Sequence, residues 1–172
     1  MASANLSVLV GKNFVCIKIC GRGNFASSPD FKTLLNELAQ KGFAHFIIDL
    51  GECVLMDSTF LGVLAGFGLK LNPNGAPAER GIELHNATAR VGELLENLGC
   101  AHLFKLTSGV LQLPADVKAC TPESTNPSHE QITRTSLEAH QTLMAMNPEN
   151  VARFKDVAQF LAEDLKSLEK SQ

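Results

Sequence analysis

Apolar residues fall into short runs along the chain, and the changes in their spacing predict the elements. "NLSVLV" and "NFVCIKIC" lie on either side of Gly11-Lys12, and the second run alternates at Val15, Ile17 and Ile19. A period of two is the pattern of a half-buried strand, so a β-hairpin is expected here. In "SSPDFKTLLNELAQKG" the period lengthens: Phe31, Leu34, Leu35 and Leu38 share one helical face. Ser28 is the expected cap, Pro29 the first helical residue and Gly42 the far end. "HFIIDL" is almost wholly apolar, as in a strand covered on both sides. Strand, helix, strand is the order of a crossover unit.

The stretch "VLMDSTFLG", residues 54 to 62, sets an acid and two hydroxyls between an apolar run and the start of the next helix, "FLGVLAGFGLKL". On a helical wheel Leu61, Leu64, Ala65, Gly68 and Leu71 form one stripe, expected to face a sheet. Phe60, Val63 and Phe67 form a second, about 100° around. That second stripe is either buried under a neighbouring segment or exposed as a partner-binding patch. Gly62 and Gly66 lie on a further side and permit close backbone approach. A Pro- and Gly-containing loop is expected from Gly75 to Gly81. Then come a strand at "IELHN", a helix at "ATARVGELLENLG" with Val91, Leu94, Leu95 and Leu98 on one side, and a last strand at "LFKL". The sum is an α/β domain over residues 1–113, one mixed sheet with helices packed on it.

From Leu113 to about Ser128 the composition shifts to Pro, Thr, Ser and Asn, so residues 114–127 read as a linker. Residues 128–172 read as a helical extension. Ser128 caps the first helix, with Glu130 and Gln131 in its first turn and sparse apolar residues at Ile132, Leu143 and Met144. Asn147-Pro148 breaks the helix, and a second runs to about Glu169. In it Val151, Phe154, Ala158, Leu161, Leu165 and Leu168 recur at steps of three and four, with Lys155, Glu163, Asp164 and Lys166 outside that seam. A lone helix of this length is marginal in water, so the seam needs a partner. Either the two helices form a hairpin that folds on itself or onto the preceding domain, or this tail mediates self-association or docking to another protein.

Composition narrows the function. The chain of 172 residues carries a formal net charge of −3 and neither Trp nor Tyr. Its basic residues are scattered, which argues against a nucleic-acid partner, since such binding concentrates Lys and Arg. "MASANLSVLV" lacks the basic segment and long apolar core of a secretory signal, and no apolar stretch is long enough to span a bilayer, so a cytoplasmic protein without membrane insertion is expected. The five cysteines include no C-x-x-C pair; Cys16 and Cys20 fall on one face of a strand and are expected to be buried reduced thiols. The five histidines, 45, 85, 102, 129 and 140, have no metal-ligand spacing, so neither metal nor cofactor is expected. Ser58 is not in G-x-S-x-G, no phosphate-binding G-x-x-x-x-G-K-[ST] loop is present, and "GRGNF" is a Gly-rich turn. Binding is favoured over catalysis.

"FIIDLGECVLMDSTFLGVL" resembles the central stretch of the STAS domain family of anti-sigma factor antagonists, in which Asp-Leu ends a strand and Asp-Ser-Ser or Asp-Ser-Thr opens a helix. "ARVGELLENLGCAHLF" is similar to the family's third helix and closing strand. The resemblance runs from about Leu6 to Leu113 and implies a STAS-like fold and a non-catalytic, phospho-regulated partner switch. It implies that Ser58 is the phosphoacceptor, with Thr59 the lesser candidate, modified by an anti-sigma factor or related switch kinase and restored by a serine phosphatase. Asp57 supports that site by capping the helix, by orienting the Ser58 hydroxyl or by adding negative potential. Phe60 departs from the family, which usually has Gly there. Other members imply alternatives: a non-catalytic subunit of a membrane lipid transporter or, further off, a nucleotide-binding regulator; a small-molecule enzyme, disfavoured by the motifs above, is the remaining reading.

Overall fold

A computed structural model describes residues 3–73 and 81–171. The hairpin forms as expected, with β1 (Asn5–Val10) antiparallel to β2 (Val15–Gly23). Helix α1 (Ser28–Gln40) leads to β3 (His45–Asp49), which lies parallel to the first half of β2, Val15 opposite Phe46 and Ile17 opposite Ile48. Strand β4 (Cys53–Met56) pairs with the second half of β2 beyond an irregularity at Gly21/Arg22. Then follow α2 (Ser58–Leu71), β5 (Gly81–His85), α3 (Ala89–Asn97), a 3-10 turn at Ala101–Leu103 and β6 (Phe104–Thr107). The described residues make a seven-stranded mixed sheet in the order β6-β5-β3-β2-β1-β7, where β7 is Lys118–Cys120, with β4 on the end of β2. The loop expected at Gly75–Gly81 lies, apart from Gly81, outside the described residues.

The register explains the core. Val8, Ile17, Ile48 and Leu84 stand side by side across four strands, and Val15, Phe46 and Ile82 do the same one step away. Paired positions project to one face of a sheet, and every one of these residues is buried. Helices α1 and α2 cover that face: Leu61, Leu64 and Ala65 turn to it, and Phe67 meets Phe46 edge-on with ring centres 4.9 Å apart.

Two local expectations are corrected. Ser28 is the first residue of α1 rather than its cap; Ser27 holds the cap position, and neither hydroxyl accepts from the helix amides. Both turn back to Asn24 O instead, Ser28 Oγ at 2.9 Å and Ser27 Oγ at 3.0 Å. Cys16, Cys53 and Cys100 are buried, but Cys20 is half-buried and Cys120 exposed. Burial and the nearby Asp49 and Glu83 carboxylates push the Cys16 thiol up to about 11.

The stretch 114–127 is not featureless. It carries β7 (Lys118–Cys120), which pairs antiparallel with β1 and closes that edge of the sheet. Further on, Ser124 Oγ and the Thr125 amide donate to the Asp30 carboxylate at 2.8 and 3.1 Å, holding the segment on the first turn of α1. Burial pushes the Asp30 carboxyl up, but the Thr125 and Ser124 donors outweigh it and leave the group below its ordinary value.

Helix α4 (His129–Met146) begins at a complete capping box: Ser128 Oγ accepts from the Gln131 amide, and Gln131 Oε1 accepts from the Ser128 amide at 2.8 Å. It crosses α2 and touches α1, and α5 (Glu149–Lys170) turns back along it. The hairpin therefore folds both on itself and onto the sheet domain. Ala158 and Leu165 of the expected seam are buried and Phe154, Leu161 and Leu168 half-buried, whereas Val151 is exposed. Asp164, expected outside, faces α4 and accepts from Thr133 Oγ1 at 3.3 Å.

Candidate functional site

The site gathers where β4 ends and α2 begins. Asp57 has extended backbone and caps α2, its Oδ1 accepting from the Phe60 amide at 2.8 Å. The other oxygen accepts from the Phe25 amide at 2.7 Å, so one carboxylate fastens the helix start to the loop after β2. Burial pushes the Asp57 carboxyl above its ordinary value against the opposing pull of the Phe60 and Phe25 amides. Of the three roles open to Asp57, capping is the one its geometry displays.

Ser58 is the first residue of α2, where free amides and the positive end of the helix dipole favour negative charge. Its Oγ lies 2.9 Å from Nε2 of His140, in the middle of α4. The opposite ring nitrogen, Nδ1, is 2.6 Å from the carbonyl oxygen of Ser136. A carbonyl only accepts, so Nδ1 carries a proton; in the neutral ring Nε2 then accepts from the Ser58 hydroxyl. His140 is 4% exposed and packs edge-on against Phe154 of α5, ring centres 5.0 Å apart. The hydroxyl is thus half-buried, paired and covered from the C-terminal side. Thr59, one step on, is buried.

Phe60 does not stand on the surface beside Ser58. It is fully buried and stacks on Phe31 of α1, with ring centres 4.3 Å apart and planes 10° from parallel. Room for the ring comes from Gly23, where a Cβ would lie 2.9 Å from the Phe60 ring. Val63 and Phe67 are also buried, Phe67 against Phe46 of β3, so the second stripe of α2 is packed inside the molecule and offers no exposed patch in this arrangement.

The glycines on the remaining side of α2 make the crossing with α4. A Cβ at Gly62 would come within 2.7 Å of the Ala139 Cβ and carbonyl oxygen, and one at Gly66 within 3.5 Å of Thr142. Lys32 of α1 pairs with Glu138 of α4. At the hairpin's turn, Asn150 Nδ2 donates to Leu98 O at 2.9 Å and Leu143 O at 2.8 Å. His140 was not distinguishable by sequence: no local motif marks a histidine whose partner comes from another element. Among the described residues there is no cluster suited to a metal ion and no helix long and apolar enough to cross a membrane.

Comparison with known proteins supplies a family. The STAS domain family matches residues 5–112. An anti-sigma-B factor antagonist of Staphylococcus epidermidis is 24% identical over 105 residues, a stretch making up 61% of this chain and 94% of the relative. Its namesake in Staphylococcus aureus (strain NCTC 8325 / PS 47) is 25% identical over 105 residues with the same coverage. Among solved structures, an anti-sigma factor antagonist from Mycobacterium paratuberculosis aligns with a TM-score of 0.51 at 15% identity, covering 61% of this chain and 86% of that one. That last likeness is one of fold. The family match ends before α4.

Proposed function

Because this chain belongs to the STAS domain family, we propose that it is a non-catalytic protein-binding module of the anti-sigma factor antagonist kind, working in the cytoplasm and switched by phosphorylation of Ser58. The observation that carries this reading is the place of Ser58, first residue of a helix whose cap, Asp57, is held by two backbone amides. The switch kinase, an anti-sigma factor or its relative, passes the γ-phosphoryl group of ATP to Oγ. The Oγ–P bond forms, the bond to ADP breaks, and the hydroxyl proton leaves. A serine phosphatase reverses the modification by hydrolysis.

Physical chemistry supports the assignment. A phosphoserine adds about −1.5 to −2 charge, and at a helix N-terminus that charge meets free amides and a favourable dipole. The modification leaves the domain folded and acts on whatever docks over the helix end, by repulsion and by bulk.

The test is mass spectrometry of the native protein with its co-purified partners. A population carrying one phosphate on Ser58, together with capture of a kinase of this type, is the expected result. Ser58→Ala is expected to bind that partner constitutively and Ser58→Asp to bind it more weakly; equal affinities for both variants and the wild type would sink the switch.

A further inference from the structure

The surface around Ser58 is occupied by part of the same chain, and that occupant is built unlike a layer of the core. The residues of α4 that are buried are Thr133, Thr135, Ser136, Ala139, His140 and Leu143, most of them small or polar. A permanent layer excludes water with large apolar side chains, whereas separable interfaces keep a polar character. A cleft of about 170 Å³ remains between α1, α2 and α4, lined in part by Lys32, Val63, Lys70, Glu138 and Thr142. The hairpin meanwhile has contacts of its own: Ala158 and Leu165 of α5 are buried, and Arg134 reaches Glu169 at 2.9 Å.

We propose that the α4–α5 hairpin is a removable intramolecular cover over Ser58, and that a phosphoryl group on Ser58 and the docked cover exclude one another. Resting on the reading of Ser58 as phosphoacceptor, this adds the regulation of that residue. With Nε2 of His140 2.9 Å from Oγ, there is no space for a phosphorus atom and three further oxygens along that line. The docked hydroxyl is half-buried, spent as a donor to His140 and approached by α4 from one side. Phosphorylation therefore proceeds from the lifted state and then keeps the cover off. A partner that docks over the N-terminal end of α2 competes with α4 for the same ground.

The experiment is hydrogen exchange on the full-length chain in three forms: wild type, a chain with phosphoserine installed at position 58, and Gly62→Ala. The last substitution replaces a helical glycine, which by itself favours α2, but sets a methyl group 2.7 Å from the backbone of α4 at Ala139. In both altered forms the amides of α4 are expected to exchange at least about tenfold faster than in the wild type, while β2, β3 and β5 keep their protection. Unchanged or slower exchange in α4 of the phosphorylated chain overturns the proposal, the latter meaning that His140 clamps the phosphate. So does a matching loss of protection in the sheet of Gly62→Ala, which makes the hairpin an integral layer. Failure of the switch itself reads differently, as absence of phosphate on Ser58 in the native protein with the exchange result intact.

Discussion

The Ser58 hydroxyl and the His140 ring, 82 positions apart along the chain, meet at 2.9 Å. This bond joins the family domain to the segment beyond it, and it can be weighed. Ser58→Ala leaves Nε2 of a buried imidazole without its donor and is expected to cost about 1–3 kcal/mol in urea denaturation. Once His140→Leu has removed the acceptor, the same Ser58→Ala should cost about 1 kcal/mol less. Additive losses would mean that the two groups do not act on one another.

Phe60, Val63 and Phe67 separate stability from binding. Phe67→Ala removes a ring that meets Phe46 inside the core and is expected to lower stability by about 3–5 kcal/mol. A variant that kept its thermal midpoint but lost partner affinity would return that stripe to the surface.

Gly23 and Phe60 are expected to depend on one another. Gly23→Ala drives a methyl group into the Phe60 ring and should destabilise by about 1–3 kcal/mol, measured by denaturant midpoint. In a Phe60→Leu background the penalty should shrink. An undiminished penalty would place the strain in the backbone of β2 instead.

Asp57→Ala removes the cap and the tie to Phe25 together. A loss of about 1–2 kcal/mol is expected, with faster exchange at the Phe25 and Phe60 amides. Asp57→Asn should keep most of the cap, because an amide oxygen accepts as a carboxylate does.

Acid should loosen the strap at Asp30. The folded carboxyl lies below its ordinary value of 3.8, so the unfolded chain takes up the proton first. The contribution is whole above about pH 4–5 and fades as pH falls through the lower folded value. A carboxyl-carbon NMR titration with its midpoint below 3.8 is expected; a midpoint above it would remove the effect.

Much of the sheet domain was legible because its side chains obey simple periods. Alternation at Val15, Ile17 and Ile19 gave β2, and Gly42, with φ of +99°, ends α1 as a residue tolerant of the left-handed region should. Gly62 and Gly66 mark a close approach, although only the structure names α4 as what approaches. What was hidden follows from chemistry of the wrong kind for pattern reading. The buried face of α4 is largely threonine, serine and histidine, so no apolar stripe announces it. β7 is three exposed residues in a Pro- and Thr-rich stretch, held by pairing to β1 rather than by its own composition. The burial of Phe60 required Phe31 and Gly23, both far from it in sequence.

The pairing of β7 with β1 also sets a leash. Between Cys120 at the end of that strand and His129 at the start of α4, the chain spans at most about 30 Å when fully extended. A hairpin that leaves α2 can therefore not diffuse away. It stays at an effective concentration on the order of millimolar beside the surface it vacated, so a partner at micromolar concentration competes only by binding far more tightly than the hairpin does. If Asp30 keeps its hold on Ser124 and Thr125, the radius shrinks further. Return is then fast and needs no second molecule, which makes the covered state the resting one to which the protein resets when the charge on Ser58 is gone.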